Sequence, residues 1–238
     1  MRGSLALVGS GEYLPDMAEL EKSLIQDGLN HGKANKFIQI PTAAGRESKD
    51  RLEFWKELGA RQADLIGAEQ IFLPIFDRDS ANSDQFADAI SDSALVYMSG
   101  GDPHYLAQTL TGTPVWDAIL KNWQSGGSLA GCSAGAMVLS SEIPNFRFLK
   151  YGPTPGLNVI GNIRVIPHFN KFFKWIPDAA AKVLMHAPEG SILLGVDEMT
   201  ALVQRSGKDF WEVNGQAKVH VLQGAPAEQL VAGQSIKF

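Results

Sequence analysis

Gly131-Cys132-Ser133-Ala134-Gly135 centres a serine in a G-x-S-x-G turn, between a strand-like apolar run and a helix-like segment. A sharp strand-to-helix turn crowds the backbone, so glycine is favoured two places before and two places after the serine, and the hydroxyl is held out in the open. The N-terminal amides of the following helix point at the same spot, where they can stabilise a developing oxyanion. This is the arrangement of an activated nucleophile; in a chain with 24 glycines the bare pattern also suits a turn that serves packing alone. A second glycine pair, Gly100-Gly101 in Ser99-Gly100-Gly101-Asp102-Pro103, suits amides that approach a substrate closely. The amides of Gly100 and Gly101, with that of Ala134, form a candidate oxyanion hole; the alternative is a plain turn into a helix starting near Pro103.

A serine nucleophile needs a base. Of the five histidines, His31 lies in the turn-like Asn30-His31-Gly32, His104 in the first turn of a helix, and His186 near a helix end. His220 alternates with Val219 and Val221, as on the outward face of an edge strand. His168 closes the strand pattern Ile163-Arg164-Val165-Ile166-Pro167, which places it at the same end of the sheet as Ser133 and makes it the candidate base. The carboxylate that orients the base stays open at this level. Glu142 is the one acid between Ser133 and His168, and Asp197-Glu198 sit in an apolar strand-like run where only one of two neighbours can face the site. An esterase of the α/β-hydrolase type would use the order serine, acid, histidine, and would enlist Asp197 and His220. An amidotransferase would need cysteine at the centre of the turn, whereas Cys132 stands one place early. A non-catalytic binding protein on the same fold is the remaining reading.

These residues have to be carried by a sheet. Short apolar runs, Leu5 to Val8, Lys36 to Ile40, Gln70 to Pro74, Ala94 to Met98, Ser128 to Cys132 and Asn162 to Ile166, alternate with amphipathic segments. One such segment carries Leu52, Trp55 and Leu58; another carries Trp116, Ile119, Leu120 and Trp123, with Thr113-Pro114 as cap and first turn. This alternation is that of an α/β fold, a doubly wound and mainly parallel sheet with helices on both faces. After about residue 190 two β-like segments, Ile192 to Gln204 and Phe210 to Leu222, flank Ser206-Gly207-Lys208-Asp209 and read as a C-terminal hairpin. Gly9-Ser10-Gly11 after the first strand lacks the full dinucleotide fingerprint. No cofactor and no metal site are expected.

Composition bounds the partners. The 238 residues are expected to form a single domain, 1–238, and no Pro-, Gly- or Ser-rich linker divides them. A net charge of −5 leaves no basic stripe for nucleic acid. No run is long enough for a membrane span, and Leu5 to Val8 is too short for a signal peptide, so a cytoplasmic protein is expected. Cys132, the single cysteine, excludes an internal disulfide.

Four ordered motifs, Ser99-Gly100-Gly101-Asp102, Ala130 to Ala136, Ile166-Pro167-His168-Phe169 and Gly195-Val196-Asp197-Glu198, resemble the serine peptidases that include dipeptidase E and cyanophycinase. The resemblance covers most of the chain. It implies a flavodoxin-like fold related to class I glutamine amidotransferases, and a Ser-His-Glu triad of Ser133, His168 and Glu198, with Glu142 as the fallback acid. It also implies a small peptide substrate and an acyl-enzyme. Those relatives carry arginines beyond the histidine that read an acidic substrate; here no arginine occurs from Phe169 to Glu198. Asp102, Lys171 and Lys174 are the candidate substrate contacts instead, and Phe172, Phe173 and Trp175 suit either an apolar pocket wall or the anchoring of a helix to the core. Lysine lacks the planar fork of arginine, so substrates outside the strict aspartyl class are expected.

Overall fold

The computed structural model of the chain describes residues 1–144, 152–175, 187–226 and 228–238. Its strands are β1 (Leu5–Val8), β2 (Ala34–Ile40), β3 (Glu69–Phe72), β4 (Ser93–Met98), β5 (Ser128–Cys132), β6 (Glu142–Ile143), β7 (Thr154–Pro155), β8 (Ile163–Ile166), β9 (Ile192–Val196), β10 (Thr200–Gln204), β11 (Trp211–Gly215), β12 (Lys218–Gln223), β13 (Glu228–Val231) and β14 (Ser235–Ile236). The helices are α1 (Ala18–Asn30), α2 (Lys49–Ile66), α3 (Arg78–Ala81), α4 (Asp84–Ile90), α5 (Pro103–Leu110), α6 (Pro114–Gln124), α7 (Ala134–Met137) and α8 (Phe169–Trp175). The large sheet runs β14-β11-β10-β1-β5-β4-β2-β3. Strands β1, β5, β4, β2 and β3 are parallel, and β10, β11 and β14 extend the β1 edge in antiparallel fashion.

Both faces of this sheet are apolar because both are covered. Along β1, Leu5 and Leu7 enter one core, and Ala6 and Val8 enter the other, as the two-residue period of a strand requires. The face of Ala6 and Val8 is covered by Leu20, Leu24 and Ile25 of α1 and by Ala63 and Ile66 of α2. Against the opposite face pack α4, α5, α6 and α7, among them Leu106, Trp116 and Ile119. Thr113 caps α6 as its residue types suggest: its hydroxyl accepts from the Trp116 amide, and Pro114 fills the first turn.

Two expectations are corrected. The strand ending near His168 does not join the main sheet. Strand β8 runs parallel to β9 in a separate four-stranded sheet, β13-β12-β9-β8, whose Leu194, Val219 and Val221 pack on the core of the α4–α7 face. The physical reason is that β10 already occupies the edge of β1, so β8 has no partner there. Second, each of the two C-terminal β-like segments is broken in the middle. Their outer halves pair as β9 with β12 in the small sheet, and their inner halves as β10 with β11 in the large one. The ribbon continues across the break, since the Asp197 amide donates to the Lys218 carbonyl and the Gln216 amide to that of Met199. It bends there because Met199 and Gly215 take positive φ, 53° and 114°. Asp197 and Glu198 therefore lie in a bend between two sheets, not within a strand. No helix among the described residues is long and apolar enough to cross a membrane.

Candidate active site

The carboxyl ends of β1, β4 and β5 open on one edge of the parallel sheet, where α/β folds bind their ligands. Ser133 sits there at φ 51° and ψ −108°, a strained conformation that costs on the order of 1–3 kcal/mol. The turn tolerates no larger neighbours: a Cβ on Gly131 would lie 2.2 Å from the Gly135 carbonyl oxygen, and one on Gly135 2.3 Å from that of Met98. Cys132 points the other way, into the core with Ala130.

His168 follows β8, itself at φ 51°. Its Nε2 lies 3.1 Å from the Ser133 hydroxyl and its Nδ1 3.0 Å from Glu198 Oε1. The loop is locked by the next residue, because the Phe169 ring fills the place where a Cβ on Gly195 would be, 2.4 Å away. Glu198 is held from three sides: its amide donates to Asn170, and Lys171 Nζ stands 2.5 Å from its second oxygen. Desolvation pushes the Glu198 carboxyl up, but the hydrogen bonds and charges of Lys171 and His168 outweigh it, and the net pKa lies below the ordinary value. The adjacent acid turns away. Asp197 is buried and pairs with His220 Nε2 at 3.0 Å, and its other oxygen accepts from the Lys218 amide. Glu142 forms an ion pair with Arg164.

The Ser99–Asp102 loop closes the other side. Gly101 has φ 139°, and a Cβ there would meet the Ala43 carbonyl oxygen at 2.3 Å; a Cβ on Gly100 would come within 3.3 Å of the Ser133 Cβ. The expected amide set is narrowed by one member, since the Gly100 N–H donates to Glu12 Oε1 at 2.8 Å. Among the described residues, the Gly101 and Ala134 amides donate to no protein acceptor.

Several other expected contacts take structural roles. Asp102 caps α5 by accepting from the His104 and Tyr105 amides, which occupies one of its carboxylate oxygens. Lys171 pairs with Glu198, and its side chain is about half exposed. Lys174 is exposed on α8. Phe172 is buried against Phe169, Ile166 and Leu193, so it is core and not a pocket wall; Phe173 and Trp175 are described only as part of the helix. His220 lies on an interior strand, with its ring 4.7 Å from that of Phe169, and so is not on an outward edge. His104 Nδ1 meets the Thr154 hydroxyl, and His186 lies outside the described residues. Gly9 packs against the Asp197 carbonyl, where a Cβ would come to 2.1 Å, which explains that glycine by packing rather than by phosphate. Among the described residues no group of three or more His, Cys, Asp or Glu is placed to hold a metal.

Glu12 is the site residue that the sequence does not reveal. Its partners, Gly100 and Cys132, are 88 and 120 positions away, so no local spacing marks it.

Comparison with known proteins places this geometry among peptidases. A family model described as "Peptidase family S51" matches residues 5–210. An uncharacterized peptidase of Pasteurella multocida is 30% identical over 149 residues, covering 58% of this chain and 67% of its own. A cyanophycinase of Trichormus variabilis is 28% identical over 209 residues, 80% of this chain, and the match spans 64% of that relative's length. Among solved structures, a peptidase from an acI-B1 actinobacterium superposes with a TM-score of 0.97 at 63% identity, over 100% of this chain and 98% of that one. A putative peptidase E protein from Listeria monocytogenes reaches a TM-score of 0.65 at 20% identity, over 91% and 100%, a likeness of fold.

Proposed function

From the premise that this chain belongs to peptidase family S51 and is a peptidase, we propose that it cleaves small peptides with Ser133 as nucleophile, His168 as general base and Glu198 as the orienting acid. The observation that carries the reading is the continuous hydrogen-bond chain from the Ser133 hydroxyl through both ring nitrogens of His168 to Glu198. Ser133 attacks the scissile carbonyl while His168 Nε2 takes its proton. The carbonyl oxygen, now negative, is stabilised by the Gly101 and Ala134 amides. The imidazolium that forms is stabilised by the ionised Glu198, whose lowered pKa keeps it charged at neutral pH. His168 then gives the proton to the leaving amine, and water, activated by the same nitrogen, releases the acyl group.

The test compares peptide hydrolysis and fluorophosphonate labelling in wild type, Ser133→Ala and Cys132→Ala. Ser133→Ala loses both, and Cys132→Ala keeps labelling and part of its turnover, because the buried Cys132 thiol bonds Glu12 and is not the attacking atom. A dead Cys132 variant beside an active Ser133 variant refutes the assignment.

Substrate choice lies outside the strict aspartyl class. The support is the absence of arginine between His168 and Glu198 together with the engagement of Lys171 by Glu198. Two arginines outside that segment are also engaged: Arg164 pairs with Glu142, and the Arg46 guanidinium lies 4.0 Å from the centre of the Tyr105 ring. Without bidentate carboxylate recognition, discrimination falls by roughly 1–3 kcal/mol. Measured kcat/KM for Asp-X, Leu-X and Phe-X dipeptides should differ by less than about a hundredfold, or roughly 2.7 kcal/mol; a larger Asp-X preference refutes this.

A further inference from the structure

Glu12 is a carboxylate where a carboxylate is costly. It is 7% exposed, in the loop that follows β1 and beside the nucleophile turn. Burying such a group is tolerable only when its oxygens are hydrogen-bonded, and both are. Oε1 accepts from the Gly100 amide at 2.8 Å, and Oε2 accepts from the Cys132 thiol at 2.9 Å. Burial first, and then the neighbouring Glu12 charge, push the Cys132 pKa up, so the thiol keeps its proton and serves as donor. One side chain thus ties together the loops that follow β1 and β4 and the last residue of β5.

The peptide that matters most for catalysis is the one between Gly100 and Gly101, since it carries the Gly101 N–H. Two consecutive glycines offer little steric resistance to rotation of that peptide. What resists rotation is an anchor on each flank. On the C-terminal side the Asp102 amide donates to the Ala43 carbonyl at 2.9 Å; on the N-terminal side the Gly100 amide donates to Glu12. A flip between the two anchors would replace an N–H donor with a carbonyl facing the nucleophile, and would abolish half of the oxyanion site.

We propose that Glu12 is a positioning residue, which holds the Ser99–Asp102 loop so that the Gly101 amide stays aimed at the oxyanion that forms on the carbonyl attacked by Ser133. This rests on the hydrolytic reading above. Cys132 is, on the same ground, the second donor that fixes the carboxylate, and that is its role next to the nucleophile.

The variants Glu12→Met and Glu12→Gln test it. Methionine fills the volume and accepts no useful hydrogen bond, whereas the glutamine carbonyl can still accept from Gly100. Glu12→Met should lower kcat by roughly a hundredfold, the scale of one lost oxyanion donor, with KM within about threefold of wild type. Binding of a peptidyl boronic acid, which mimics the tetrahedral oxyanion, should weaken in parallel, and Glu12→Gln should recover most of the loss. An amide proton bonded to a carboxylate resonates downfield, so the Gly100 signal should move upfield in both variants, further in Met than in Gln. A folded Glu12→Met variant with wild-type kcat, or a loss confined to KM, overturns the proposal. If Glu12→Met does not fold, an unmoved Gly100 amide in the isosteric Glu12→Gln variant overturns it equally. Absence of Ser133-dependent hydrolysis and labelling in the wild type overturns the hydrolytic reading itself, and this proposal with it. Normal wild-type activity beside an unaffected Glu12→Met variant overturns the positioning role alone.

Discussion

Replacing Glu198 by glutamine keeps the shape of the site and removes one charge. The imidazolium of His168 would lose a carboxylate whose oxygen stands 3.0 Å from Nδ1. At that separation the attraction of two unit charges is about 1.4 kcal/mol with water-like screening and about 5.5 kcal/mol at an effective dielectric of 20. His168 and Glu198 side chains are 27% and 15% exposed, so the pair lies between these limits. A loss of about 3 kcal/mol of transition-state stabilisation corresponds to a fall in kcat of roughly a hundredfold. Glutamine can also present its amide N–H to the ring and select the wrong tautomer, which adds to the loss. Substrate binding does not use Glu198 in this arrangement, so KM should stay within a few-fold. Steady-state kinetics on one dipeptide, with Glu142→Gln and Asp197→Asn alongside, provide the check. Those two acids are bonded to Arg164 and His220, and their variants should keep kcat within about tenfold, since neither touches the transition-state charge. Glu198→Gln with near wild-type kcat, or a larger defect in Glu142→Gln, refutes the reasoning.

Lys171→Met should lower kcat by roughly three- to tenfold with little change in KM, because a half-exposed lysine that steadies Glu198 contributes about 0.5–1.5 kcal/mol; a rise in KM alone would return Lys171 to the substrate. Asp102→Ala should cost about 1 kcal/mol through the lost α5 cap, or roughly 2–4 °C in Tm by calorimetry, and unchanged Tm with a raised KM would instead mark a substrate contact. Burial pushes the Glu21 carboxyl up from 4.5 to about 8, so the folded state holds a proton that the unfolded chain releases. Stability from this group is full below about pH 4.5, falls as pH rises by up to about 1.4 kcal/mol per unit, and levels off above about 8. Urea midpoints from pH 5 to 8 should show that decline in wild type and a flatter line in Glu21→Leu; equal slopes would refute it.

Much of this molecule is legible in one dimension. The parallel strands, the N-terminal cap of α6 and the glycine-bounded turn of Ser133 follow from two-residue and helical periodicity, from the residue types at the helix start and from the steric demand for missing side chains. These are local properties, determined by neighbours within a few positions. Four ordered motifs were enough to point to the family. What the sequence leaves open concerns groups that meet across long separations. Glu142, Asp197 and Glu198 are chemically equivalent candidates along the chain, and only the bend between β9 and β10, with its positive φ at Met199, turns Glu198 toward His168 and Asp197 toward His220. Lys171 has the residue type of a substrate contact, and only its 2.5 Å approach to Glu198 assigns it to the acid. Glu12 carries no sequence mark at all, because its partners arrive from two other strand ends. Tertiary structure decided these points because a hydrogen bond is set by distance and direction in space, and chain order constrains neither once strands from separate parts of the sequence are brought side by side.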